Sequence, residues 1–216
     1  MTELNKRIIT SFFLVIILLL SSKFFFVLFI LLILLFYEIF NELFLMLNKI
    51  YNNTKRNKLY FTCLFTLAYL VILFSLILDI FVSNKTDEKI FLYFIIIVCI
   101  STDIGGFTFG KLFKGKKLTK ISPNKTYSGL IGSYFLSLIT SLFMFIDYFH
   151  SNEIFLFSLI ISSISQGGDL FISFLKRKAN FKDTGNLLPG HGGVLDRLDG
   201  FIFGIPFGLI LFNIYG

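Results

Sequence analysis

Three acids stand where a reaction could use them. Asp169 closes the sequence Gln166-Gly167-Gly168-Asp169, and Asp196 and Asp199 lie in Asp196-Arg197-Leu198-Asp199-Gly200. Asp196 and Asp199 are three apart, so a helix starting there turns both toward one side. A single such Asp reads equally well as a helix cap. Three acids from two neighbouring apolar runs, beside glycine-rich backbone, suit a bound cation better. Carboxylates with neither cysteines nor paired histidines nearby favour a hard cation such as Mg²⁺ over zinc. Between these acids runs Lys182 to Gly193, KDTGNLLPGHGG, with His191 set among Gly190, Gly192 and Gly193. Glycines there allow positive φ and close approach to a ligand. The plainer alternative is a tight interhelical loop whose histidine bonds only backbone. His150 carries no assigned role.

A third polar stretch follows Asp103. Gly105, Gly106 and Gly110, with Lys111, Lys116, Lys117 and Lys125, read as a loop from Gly105 to Thr126 that could cradle phosphate. Ordinary basic charge on a cytoplasmic loop accounts for most of these lysines. Ser122-Pro123-Asn124-Lys125-Thr126 leads into an apolar run and could offer helix N-terminal N–H groups to an anion. The phosphate-loop pattern GxxxxGK[ST] is absent, because Lys116-Lys117 follows Gly115 with no hydroxyl.

The elements that must hold these residues are membrane spans. Of 216 residues 56% are hydrophobic, Phe alone numbers 31, and mean hydropathy is +0.83. Soluble domains hold about 45–50% apolar residues, so the expected class is an all-α polytopic membrane bundle. Apolar runs span 8–20, 24–47, 59–82, 90–102, 127–148, 154–172 and 200–215, giving about seven spans. The first begins after Lys6-Arg7 like a signal peptide, but no small-x-small cleavage site follows it. With the N-terminus cytoplasmic, 17 of the 20 basic residues fall on cytoplasmic segments and only Lys23, Lys85 and Lys89 outside. That bias supports the topology and places the polar motifs on the cytoplasmic side. Residues 1–100 then read as a lipid-facing scaffold and residues 101–216 as the part bearing the motifs.

The net charge of +7 follows from the same rule and needs no nucleic acid, since the aromatics lie in spans rather than among the basic loops. Cys63 and Cys99 sit inside apolar runs as plain buried residues. Glu38 and Glu42, four apart in the second run, share one helix face. They read first as an interfacial face, with a contact to a basic loop elsewhere as the alternative.

From Ser173 to Asp199 the chain reads SFLKRKANFKDTGNLLPGHGGVLDRLD, which resembles the signature of the phosphatidate cytidylyltransferases, or CDP-diacylglycerol synthases. Gly168-Asp169-Leu170 and the stretch from Asp103 to Thr126 resemble the family in order and spacing, so the specific likeness covers about residues 103–199. The resemblance implies transfer of CMP from CTP to phosphatidate, yielding CDP-diacylglycerol and pyrophosphate, in a bacterial-type inner or plasma membrane. It implies Mg²⁺, with K⁺ as a companion, on Asp169, Asp196 and Asp199. It further implies catalytic roles for Lys182, His191 and Arg197. Substrate contacts would come from Asp103, Lys111, Ser122, Lys125, Ser173, Lys176, Arg177, Asp183, Gly192 and Gly193. A homodimer is a family-based expectation.

The chain departs from the family at several points. Ile172 stands where a Glu is usual, and Asp103-Ile104-Gly105-Gly106 replaces Asp-Thr-Gly-Ala. The Pro expected before Ser122 is missing, and the chain is short for the family.

Four other readings compete. A CDP-alcohol phosphotransferase would need Ala-Arg and further Asp after Asp199-Gly200, where Phe201-Ile202-Phe203-Gly204 stands. A CTP-dependent lipid or polyprenol kinase is a further reading, since such enzymes resemble this family. A transporter would carry its acids at mid-membrane rather than at span ends. A catalytically impaired membrane partner is motivated by Ile172.

Overall fold

The computed structural model describes residues 16–17, 19–51, 55–83, 85–119, 121–187 and 192–215. Six long helices carry the chain: α1 (Phe25–Tyr51), α2 (Arg56–Val82), α3 (Thr86–Phe113), α4 (Tyr127–Phe145), α5 (Ser151–Lys178) and α6 (Leu195–Tyr215). Each is long and apolar enough to cross a membrane. At about 1.5 Å per residue, a helix of 20 residues matches the ~30 Å hydrocarbon layer. Helix is the conformation an open chain must take there, because it satisfies every backbone group internally. The protein is an all-α integral membrane protein. Most of the expected first span, 8–20, lies outside the described residues, while residues 19–23 are helical.

Contacts divide the chain into two compact units. One comprises residues 1–83 and 175–198, the other residues 84–174 and 199–216, so α5 and α6 contribute to both.

In the first unit α1 packs along α2, with Phe36 edge-on to Phe74 at 5.7 Å between ring centroids. The end of α5 also belongs here. Lys176, Arg177 and Lys178 fill its last turn, where cationic charge complements the helix dipole. Asn180 (φ 55°) takes the left-handed position that closes the helix. The N–H of Phe181 donates to the Lys176 carbonyl at 2.8 Å, and that of Asn180 to Arg177 at 3.1 Å. This Schellman closure turns the chain sharply after Lys178.

In the second unit α3 and α4 are the closely packed pair. The fourth apolar run was expected to stop at Asp103, but α3 continues to Phe113. Asp103, Gly105, Gly106, Gly110 and Lys111 are therefore helical. The three glycines meet α4 rather than a ligand. A Cβ on Gly105 would lie 2.9 Å from Ser133 Cα, one on Gly106 2.8 Å from Ser133 Oγ, and one on Gly110 3.6 Å from Gly129 Cα. Small residues are what let membrane helices approach this closely. A buried hydroxyl then bonds across the seam, Ser133 Oγ to the Thr102 carbonyl at 2.7 Å, while Thr102 Oγ1 donates to Ser162 Oγ on α5 at 2.9 Å.

After α3 the backbone turns through Lys114 (φ 51°) and Gly115 (φ 112°). A short clip closes the loop, with Leu118 N bonded to the Lys125 carbonyl at 2.7 Å and Tyr127 N to that of Lys116 at 3.1 Å. Thr126 then caps α4, accepting from Gly129 N at 3.1 Å. Ser122 to Thr126 leads into this helix as expected. The clip fixes where Lys125 projects.

Candidate active site

The second unit gathers one polar set. Asp169 on α5 and Asp199 on α6 come together because glycines precede or follow them. A Cβ on Gly168 would lie 2.8 Å from the Asp199 carbonyl oxygen and 2.5 Å from a Phe203 ring carbon. One on Gly200 would overlap Ser165 Oγ and lie 3.5 Å from its carbonyl oxygen. These bare backbones allow α5 and α6 to touch at that level. Asp199 is buried, at 7% exposure, and its Oδ1 accepts from Gly200 N at 2.9 Å. Its carboxyl is within hydrogen-bonding reach of Asp169 and feels the charge of Asp103 on α3. Lys125 forms an ion pair with Asp169 Oδ2, and Ser173 Oγ donates to Asp169 Oδ1 at 3.4 Å.

Among the described residues no three His, Cys, Asp or Glu side chains enclose a metal ion. The donor chemistry nonetheless fits one kind of cation. Asp169 and Asp199 are hard oxygen donors, and like charges held this close call for a positive partner. Mg²⁺ is commonly held by one or two carboxylates, with substrate phosphates completing its shell. A pair of aspartates on neighbouring helices suits that use.

The first unit gathers the other set. Asp196, in the first turn of α6, is fully engaged. Lys176 Nζ donates to its Oδ1 at 2.6 Å. Its Oδ2 accepts from Thr184 N at 2.8 Å and Gly193 N at 3.3 Å, with Thr184 Oγ1 3.0 Å away. Gly192 has φ 84°, and a Cβ there would sit 3.3 Å from Asp196 Oδ2. Asp196 and Asp199 share a helix, yet the partners of Asp196 lie in the first unit and those of Asp199 in the second.

Two residues of this set were not expected from sequence. Thr184 lies inside the loop motif with no spacing that singles it out. Glu42 read first as an interfacial acid. It is instead 3% exposed, accepting from Thr184 Oγ1 at 2.6 Å, Val194 N at 2.9 Å and Leu195 N at 2.9 Å. The signal for it was an acid inside an apolar run, which defaults to a functional hypothesis.

The remaining expected residues fall as follows. Arg177, Lys182, Asp183 and Arg197 are exposed around the first unit's loop and helix ends. Lys111 is exposed on α3, its ammonium 5.7 Å from the centre of the Phe107 ring. Ser122 lies in the clip, its N–H bonded to Thr119 Oγ1 at 3.2 Å. His191 lies outside the described residues. Ile172, where the family's Glu would stand, is 2% exposed and packed as an apolar residue.

This arrangement can neutralise and position phosphate groups. It offers aspartates for a cation, lysines and arginines near helix ends for anions, and no serine–histidine pair for covalent catalysis among the described residues. The sequence matches the cytidylyltransferase family over residues 2–215. It is 45% identical over 163 residues to a phosphatidate cytidylyltransferase of Rickettsia typhi, covering 69% of each chain. The corresponding Rickettsia felis protein is 43% identical over 173 residues, covering 74% of each. A Staphylococcus aureus protein of the same name is 40% identical over 148 residues, covering 67% of this chain and 55% of its own. Signature, helical membrane fold and sequence likeness coincide, and the chain belongs to the cytidylyltransferase family.

Proposed function

We propose that this protein is a phosphatidate cytidylyltransferase. A phosphate oxygen of phosphatidate attacks the α-phosphorus of CTP, forming a new P–O–P bond. The bond from the α-phosphorus to the bridging oxygen breaks, and pyrophosphate leaves with that electron pair. The second pKa of a phosphate monoester is near ~6, so the nucleophile is already anionic near neutral pH and no general base is required. The obstacle is joining two polyanions and accommodating charge on the leaving group, which is an electrostatic and positioning task. The observation that carries this reading is the pairing of Asp169 with Asp199 in a chain bearing the family signature.

Asp169 and Asp199 would hold Mg²⁺, with K⁺ as a companion, and that cation would supply charge neutralisation for the phosphates. The resemblance adds Asp196 to the ligands; its engagement by Lys176 and Thr184 supports a structural share in the task. Lys125 keeps Asp169 oriented. Arg177, Lys182 and Arg197 are exposed cations for phosphate oxygens, with His191 carried over from the resemblance alone.

The bias of basic residues supports a cytoplasmic face for these groups, where a water-soluble nucleotide would meet a lipid headgroup. Labelling Arg177→Cys with a membrane-impermeant maleimide, with Cys63 and Cys99 replaced by Ser, checks this. Reaction in inside-out vesicles only is expected. A homodimer follows from the resemblance and is read by light scattering in detergent.

Purified protein in mixed micelles should make CDP-diacylglycerol and pyrophosphate from CTP, phosphatidate and Mg²⁺. Inactivity beside an active Staphylococcus aureus relative would favour an impaired partner. Phosphorylation of diacylglycerol or a polyprenol would favour a kinase.

A further inference from the structure

The last helix begins badly by its own sequence. Val194 holds the position before the first turn, since its carbonyl accepts from Arg197 N at 3.0 Å and Leu198 N at 3.2 Å. That position favours Ser, Thr, Asp or Asn, whose side chains accept the orphan N–H groups. Valine has no acceptor. Glu42 supplies one from α1, 152 residues earlier, taking the Val194 N–H on Oε1 and the Leu195 N–H on Oε2. A carboxylate there also complements the positive end of the helix dipole.

The surroundings are shaped to this carboxylate. A Cβ on Gly193 would lie 2.6 Å from Glu42 Oε2, and one on Gly185 3.0 Å from Glu42 Cδ. Neither position can carry a side chain while Glu42 stays. Thr184 completes the arrangement. Its hydroxyl lies 2.6 Å from Glu42 Oε2 and 3.0 Å from Asp196 Oδ2. One hydroxyl has one proton, so Thr184 couples the two carboxylates, and the Thr184 N–H independently holds Asp196.

We propose that Glu42 is a positioning residue for the cytidylyl transfer. It fixes the start of α6 and Thr184, and so keeps Asp196 in register with Lys176. The role in transfer rests on the reaction proposed above, whereas the fixing of α6 does not. Oε1 receives the Val194 N–H and Oε2 the Leu195 N–H, so in either orientation Glu42→Gln must turn its amide N–H groups toward a backbone N–H. Even the nearest neutral replacement breaks the arrangement.

The test compares the full-length wild type, Glu42→Gln and the control Glu38→Gln in detergent. Hydrogen exchange of the 192–198 backbone, without substrate, should accelerate at least tenfold in Glu42→Gln and stay unchanged in Glu38→Gln. The kcat, counted per CTP-binding protein molecule, should fall at least tenfold in Glu42→Gln alone. A merely structural role would lower the number of binding molecules and leave kcat per molecule intact. Unchanged exchange, or kcat per molecule within threefold of wild type, overturns the proposal. A wild type that makes no CDP-diacylglycerol overturns the proposed reaction instead, and exchange still decides whether Glu42 fixes α6.

Discussion

Lys176 near the end of α5 and Asp196 in the first turn of α6 form an ion pair 2.6 Å long, their side chains only 15% and 11% exposed. Attraction at that depth is weakly screened, but so is the cost of leaving either charge alone. Lys176→Met should therefore destabilise the protein by about 3 kcal/mol, the low end for an uncompensated buried charge. Adding Asp196→Asn should restore part of that stability without restoring activity. Unfolding followed in detergent, with turnover measured in parallel, checks both arms.

Asp169→Asn and Asp199→Asn should each lower turnover by roughly 10²–10³-fold, the scale on which single electrostatic groups act in catalysis. Folding should survive, because Asp199 loses a charge held close to Asp169 and Asp103. Chelation should abolish wild-type turnover and added Mg²⁺ restore it. In Asp169→Asn the Mg²⁺ needed for half-maximal rate should rise. Titration of rate against Mg²⁺ would reveal an unchanged requirement if Asp169 holds no cation.

Lys125→Ala should separate activity from stability. Its pair with Asp169 is about a quarter exposed on each side, so stability should change by less than about 1 kcal/mol. Turnover should fall at least tenfold and return largely with Lys125→Arg. Initial rates at saturating CTP, beside thermal unfolding, decide it.

Neighbouring glycines should behave oppositely. A Cβ at Gly167 meets nothing within 4 Å, whereas at Gly168 it meets Phe203 and the Asp199 backbone. Gly167→Ala should be neutral or stabilising by up to about 1 kcal/mol, the helix preference of Ala over Gly. Gly168→Ala should cost about 1–3 kcal/mol through overpacking and lower turnover by displacing Asp169. Equal unfolding temperatures for the two variants would show that α5 and α6 do not meet at Gly168.

The spans were legible because each helix needs only a local pattern, a long apolar run that satisfies its own backbone. Their ends were less so. Gly105, Gly106 and Gly110 look like loop residues in the sequence, yet they lie within α3 as its contact face for α4. A glycine's meaning depends on what approaches it, and that partner, α4, is another part of the chain. Ile172 was visible as a departure, but only its burial shows that it serves packing.

The sequence by itself determined the membrane class, the family signature and the acids at Asp169, Asp196 and Asp199, because hydropathy and spacing are properties of neighbouring residues. Tertiary structure alone decided what those acids contact. It set Asp199 against Asp169 in one unit and tied Asp196 to Lys176 and Thr184 in the other. It also turned Glu42, an acid in an apolar run, into the cap of a helix 152 residues away. A three-residue spacing fixes only the face of a helix, whereas the partners of a carboxylate are chosen by whatever packing brings to that face.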